Sequence, residues 1–171
     1  MTKSAVSHQW STIGSGYTLI EVLVVISIMI TIFVAGFANF RQYSRSQSLT
    51  AVIRVLRSDL RFAQEYALSG RKPAAGCSNL DGYYFRVDSV TRSYSISPVC
   101  SSPVVELAAI KQVTFLSDIS DVSVTGINPI LFKVIGEGTN IPAGTQVNIT
   151  LTQTGGGSTQ TVTVTPGGEI R

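Results

Sequence analysis

The sequence predicts an α+β fold, with one long N-terminal helix packed on an antiparallel β-sheet domain. Three observations carry this reading. Residues 22–40 contain no charged side chain, an uncharged run of 19. No proline precedes Pro73, and Gly36 is the only glycine between Tyr17 and Ser69, so nothing in this stretch breaks a helix. After Gly70 the apolar spacing drops from steps of three or four to steps of two.

The apolarity is local. The 171 residues have a mean hydropathy of +0.29, only 13% charged side chains and a net charge of +3. About a quarter charged is usual for a soluble domain, and disorder requires high charge with low hydrophobicity. The uncharged run is long enough for a helix to cross a bilayer core of about 30 Å. A buried core helix of this length would normally show a polar face, and this one shows none. A secretory signal has an apolar part of only about 7–15 residues and a small-residue cleavage site after it, neither of which fits. Arg41 and Arg45 follow the run, where headgroups would take them. Glu21 stands at its edge, and a carboxylate there calls for a functional reason and a named partner.

Beyond the run, Leu49, Val52, Ile53, Leu56, Leu60, Ala63 and Ala67 recur at helical spacing and mark one face. Arg54, Arg57, Arg61 and Glu65 mark another. The helix is expected from about Thr18 to Ser69, with Gly70 as the residue just past its end. The basic cluster Arg41, Arg45, Arg54, Arg57 and Arg61 reads as headgroup contact plus a solvated face. A nucleic-acid stripe is the alternative, weakened by Asp59 and Glu65 and by the lack of interleaved aromatic residues. Strands are expected at 82–88 and 93–97, joined by a hairpin loop at 88–92. Others are expected at 104–110, 112–116, 122–125, 130–135, 146–152 and 160–165, with a flexible tip at 153–158. Their Val, Ile and Thr content suggests one face in water and one on the helix stripe.

Gly16-Tyr17-Thr18-Leu19-Ile20-Glu21-Val22 and the apolar run behind it resemble the N-terminal signal of type IV prepilins and pseudopilins. The resemblance implies a prepilin peptidase cut between Gly16 and Tyr17, with N-methylation of Tyr17. The family usually has Phe at that first mature position. It further implies four segments: a leader at 1–16, a transmembrane and filament-core helix at 17–40, an amphipathic helix at 41–70 and a β-rich domain at 71–171. Glu21 would pair with the N-terminal ammonium of a neighbouring subunit. Pairing offsets part of the desolvation each charge suffers in an apolar filament core. Residues 56–67, together with 147–151, 162–164 and 167–171, resemble the GspH/FimT group of type IV pilin-like minor pilins. Major pilins often carry a proline in the apolar segment, and none occurs here.

Cys77 and Cys100 are the only cysteines and flank the first hairpin. In such a protein both would lie on the exported side, where a disulfide is expected. Two free thiols and half a metal site are the alternatives. The only histidine, His8, lies in the implied leader. A bridge closing such a loop would contribute about 3 kcal/mol in the chain-entropy model.

Catalytic patterns are not evident. The implied mature chain has no histidine, there is no phosphate-binding loop, and the Gly155–Gly157 stretch reads as a turn. Asp118, Asp121 and Glu137 read as surface charges. No cofactor and no metal are expected, and the protein is expected not to be an enzyme. The resemblance implies a structural subunit of a type IV pilus or type II secretion filament. It would be held single-pass in the inner membrane with its domain on the exported side, then assembled into a filament in the periplasm or at the cell surface. The implied partners are other pilin or pseudopilin subunits, the prepilin peptidase and the assembly platform. The alternative function is a DNA-binding minor pilin for transformation. Relatives of that kind use a Gly-Arg-x-Arg pattern, whereas Gly168-Glu169-Ile170-Arg171 has Glu169 in place of the first arginine.

Overall fold

The computed structural model describes residues 16–101, 104–155 and 157–171, with the backbone alone for residues 37–46. The chain divides into two units, Met1–Phe40 and Arg41–Arg171. A single helix, α1, is assigned over Leu19–Leu68. Its C-terminus closes as the glycine predicts. Gly70 has φ of +58° and donates its N–H to the Ala67 carbonyl at 3.0 Å, while Arg71 donates to the Tyr66 carbonyl at 3.2 Å. This pair of bonds satisfies carbonyls the helix would otherwise leave open, and the left-handed turn is one glycine adopts without strain.

Among the described residues of the second unit, eight strands follow. They are β1 (Asn79–Asp88), β2 (Ser93–Ser101), β3 (Val105–Glu106), β4 (Lys111–Thr114), β5 (Ile119–Thr125), β6 (Ile130–Lys133), β7 (Val147–Gln153) and β8 (Thr159–Val164). One antiparallel sheet runs β3-β2-β1-β6, with β4 also paired to β2. A second sheet runs β5-β7-β8. The β1–β2 turn is fastened by Asp88, whose Oδ1 accepts from the N–H groups of Val90 and Thr91. A bond to the Thr91 side chain, and then these two backbone bonds, hold its carboxyl below the usual carboxylate range. Gly82 in β1 lies so close to β6 that a Cβ would fall 2.0 Å from the Phe132 carbonyl oxygen, so no larger residue fits there.

Two expected strands are shorter than the pattern suggests. Residues 104–110 were expected as one strand, but only Val105–Glu106 pairs, and β4 resumes the same edge of β2 at Lys111. The reason is Pro98 in β2. Its carbonyl accepts from Leu107 N–H at 3.0 Å, but it has no N–H to return, so the ladder breaks there. The expected strand 130–135 ends at Lys133, where Val134–Gly136 turns as a 3₁₀ segment and Ile135 takes φ of +59°. By contrast, β7 alternates buried and half-buried along its whole length, as a strand with one wet face should.

Leu49, Ile53, Leu56, Leu60, Ala63 and Ala67 are buried in one core with Phe85, Ile96, Phe132, Ile149, Leu151 and Val162 from both sheets. The predicted stripe is thus the face α1 presents to the sheets. Asp59 departs from the sequence expectation that it interrupts the basic helix face. It is 4% exposed and accepts from Tyr94 Oη at 2.6 Å and from Lys111 Nζ at 2.6 Å. It follows Leu56 by three residues and precedes Ala63 by four, so the helix carries it along the edge of the apolar stripe. Burial, and then the neighbouring carboxylate, push the Tyr94 phenol well above its ordinary value.

Two outcomes follow from this cluster. Asp59→Ala leaves the Tyr94 hydroxyl and the Lys111 ammonium without their shared acceptor. It should destabilise the second unit by about 2–3 kcal/mol in denaturant melts of the full chain in detergent. A loss below about 0.5 kcal/mol would show that solvent replaces the carboxylate. A phenol titrates near 10 when unfolded, and folding raises that of Tyr94. Its contribution is therefore complete below pH of about 10 and shrinks as pH rises beyond it. Wild type should lose stability more steeply than Tyr94→Phe above that pH; parallel curves would remove Tyr94 as the cause.

Candidate functional site

Gly16, Tyr17 and Thr18 precede α1, and all three are exposed. Thr18 serves as N-cap. Its Oγ1 accepts from Glu21 N–H at 3.3 Å and its carbonyl accepts from the same group at 3.1 Å. Glu21 thus occupies the third helical position of a Thr-x-x-Glu start, where a carboxylate also suits the positive end of the helix dipole. The sequence shows that pattern openly as Thr18-Leu19-Ile20-Glu21. Residues 1–15, with Lys3 and His8 and most of the implied leader, lie outside the described residues.

From Leu19 to Gly36 the helix has a mean hydropathy of 2.7, and every side chain in this stretch is exposed. It is long and apolar enough to cross a membrane, and so fits a membrane anchor. Its hydroxyls do not spoil that. Ser27 Oγ donates to the Leu23 carbonyl at 2.8 Å, and Thr31 Oγ1 donates to the Ser27 carbonyl at 2.7 Å. Polar side chains that bond back onto their own helix present no open donor to an apolar surrounding.

In the second unit, Arg54, Arg57, Ser58, Arg61, Phe62 and Glu65 of α1 line one open hollow, and Phe62 also packs against the core. Arg54 and Arg61 are exposed, and Arg57 is half-buried, with an Nε that has no hydrogen-bond partner. The side chains of Arg41 and Arg45 lie outside the described residues. Contrary to the sequence expectation, aromatic rings do border this face. The Phe62 and Tyr66 rings lie 4.1 Å apart between centroids, and Tyr66 meets Tyr83 edge-on at 5.7 Å. Arg71 covers Tyr66 at 4.9 Å and donates to its hydroxyl at 3.1 Å. The phenol of Tyr83 is pushed up chiefly by burial. Sequence periodicity places Phe62 and Tyr66 beside the stripe, but their partners come from a distant strand and loop.

Cys77 and Cys100 are joined by a disulfide, with Cα atoms 5.5 Å apart. It ties the segment entering β1 to the far end of β2, at the open end of the β1–β2 hairpin. Cys100 is 3% exposed, so the bridge is also part of the core. Among the described residues, no group of three or more His, Cys, Asp or Glu could hold a metal ion.

No protein-family model matches the chain, and no curated protein matches it by sequence. Among solved structures it is similar to the minor pseudopilin EpsH from the Type 2 Secretion System of Vibrio cholerae. The match covers 72% of this chain and 94% of that one, with a TM-score of 0.52 and 15% identity. The chain therefore has the α+β fold of a minor pseudopilin, with an apolar N-terminal helix and an amphipathic helix segment on antiparallel sheets.

Loss of the bridge has a defined expectation. Cys77→Ser with Cys100→Ser should destabilise the second unit by about 2–4 kcal/mol while leaving its far-UV circular dichroism unchanged. Equal migration of reduced and unreduced protein, with both thiols open to alkylation, would contradict the bridge.

Proposed function

We propose that the chain is a non-enzymatic subunit, a minor pilin or pseudopilin, of a type IV pilus or type II secretion filament. The observation that carries this is the joining of a fully exposed apolar helix, Leu19–Gly36, to a domain with a pseudopilin fold. Such a helix needs an apolar surrounding, first a bilayer and then the packed helices of neighbouring subunits. In this reading residues 1–16 are the leader, 17–40 the membrane and filament-core helix, 41–70 the amphipathic helix and 71–171 the displayed domain. Prepilin peptidase cuts between Gly16 and Tyr17, and Tyr17 is then N-methylated. The protein waits single-pass in the inner membrane with its domain on the exported side, and the assembly platform draws it into the filament.

Cutting at Gly16 would place an ammonium on Tyr17 at the positive end of a helix dipole, where a cation is disfavoured. A carboxylate nearby offsets it. Supplied by Glu21 of a neighbouring subunit, that carboxylate would make charge neutrality depend on correct axial register. The bond from the Glu21 backbone N–H to Thr18 would survive replacement by Gln, whereas the charge would not.

Mass spectrometry of filament material should find an N-methylated Tyr17 at the N-terminus. An intact Met1 in assembled protein would sink the proposal. Glu21→Gln and Glu21→Val should both insert in the membrane and both fail to enter filaments. If the Gln variant assembles normally, Glu21 acts as a helix cap alone.

A further inference from the structure

We infer that the arginine row of α1 is a docking surface for the acidic β5 edge of a second copy of this chain. The inference takes its setting from the filament-subunit reading, but it stands on the charge distribution of the second unit. Thr50, Arg54, Arg57 and Arg61 follow one another at steps of four, four-less-one and four along one side of α1, so all four share a face. Among the described residues, none of the three arginines makes an ion pair, and the buried Arg57 Nε has no acceptor. A guanidinium stripped of part of its water and given no counter-charge by its own chain gains more than an exposed one from an incoming carboxylate.

The complementary charge lies at the other side of the smaller sheet. Residues 112–170 carry Asp118, Asp121, Glu137 and Glu169 against Lys133 as the one basic residue, and Arg92 from the β1–β2 turn reaches the start of β5, where it donates to the Ile119 carbonyl at 3.0 Å. Glu169 is engaged by Arg171, whose Nε and Nη2 each donate to it at 2.9 Å. Asp118 and Asp121 are exposed, at the start of β5 and within it. In the sheet order β5-β7-β8, strand β8 lies on the arginine side, because Gln160 Nε2 donates to Thr50 Oγ1 at 3.2 Å. Strand β5 is therefore the opposite edge, and no described strand pairs with its outer side. A basic row on one side and an acidic edge on the other cannot satisfy each other within one copy. Between copies they make a heterologous contact, which repeats head to tail and suits a helical assembly.

Single-stranded nucleic acid is a weaker occupant. The rings that would stack bases are already covered, Phe62 by Tyr66 and Lys111, and Tyr66 by Phe62 and Arg71.

The test is charge reversal in the full chain, purified in detergent and followed by sedimentation. Wild type should self-associate in a salt-sensitive way. Arg54→Glu with Arg61→Glu, and separately Asp118→Arg with Asp121→Arg, should each weaken association tenfold or more. Mixing the two variants should restore association at one-to-one stoichiometry, in alternating order, because each face of one variant again meets the opposite charge on the other. All four positions are exposed, and far-UV circular dichroism with an intact disulfide certifies folding. The contact is overturned if wild type does not associate, if either variant associates as wild type does, or if the mixture fails to pair. It is equally overturned if the arginine variant loses binding to a single-stranded oligonucleotide while self-association is intact. Entry of wild type into filaments in cells is scored separately. A chain that self-associates in this way yet never enters filaments would refute the filament reading and leave the contact standing.

Discussion

An α-helix satisfies its own backbone everywhere except at its ends, and the structure depends on this. Because α1 closes its first turn on Thr18 and its last on Gly70, its side chains alone decide which surroundings each stretch accepts. Between Leu19 and Gly36 they are apolar on every side, and the two hydroxyls most able to offend bond back onto the helix. Between Leu49 and Ala67 the same backbone carries one apolar stripe and one charged row. A strand could not make this change of surroundings, since its N–H and C=O groups need a neighbour wherever it goes.

Much of the helix was legible because each signal there is local. An uncharged run, an unbroken stretch free of proline and a glycine stop read directly as Leu19–Leu68, within one residue of the expectation at each end. The strands were legible in number and rough position but not in extent, and their division between two sheets was not. Pro98 truncates a strand it does not belong to, because its missing N–H is felt on the neighbouring edge. Nothing in residues 104–110 announces that. Asp59 was misread for a related reason. Charge argues for solvent, and the residues that outweigh that argument, Tyr94 and Lys111, lie 35 and 52 positions away. The aromatic border of the basic face was missed in the same way, since Tyr83 and Arg71 reach it from beyond the helix.

The Asp59 cluster also fixes how helix and sheet sit. An apolar stripe against an apolar sheet is tolerant of small slips, since hydrophobic burial is not directional. A buried carboxylate bonded at 2.6 Å to a phenol on β2 and an ammonium on β4 is not tolerant, because a slip would leave three polar groups unpaired. Lys111 opens the strand that resumes after the Pro98 break, so the bond to Asp59 anchors the interrupted edge to the helix. At the opposite end of β2 the disulfide closes the open end of the hairpin on itself.

Glu21 has a local explanation and a wider one, and magnitudes separate them. As the third residue of a capped helix, a carboxylate gains about 0.3–1 kcal/mol from the dipole. Gln keeps the bond from its backbone N–H to Thr18 Oγ1 without a charge. Carrying a carboxylate into the middle of an apolar layer costs about 2.5–3.5 kcal/mol, and less towards its edge. The local gain is thus too small to favour Glu over Gln if the surroundings of the helix start become fully apolar. Either the helix start stays wet, and the cap is sufficient reason for the residue, or it does not, and the charge needs a cation from outside the chain. In the proposed filament the core would be the second case, and the ammonium that cutting before Tyr17 would create is the cation nearest to hand. On that proposal Glu21 would gain only the helix dipole in the stored subunit, and its full counter-charge would come with correct register in the assembled one.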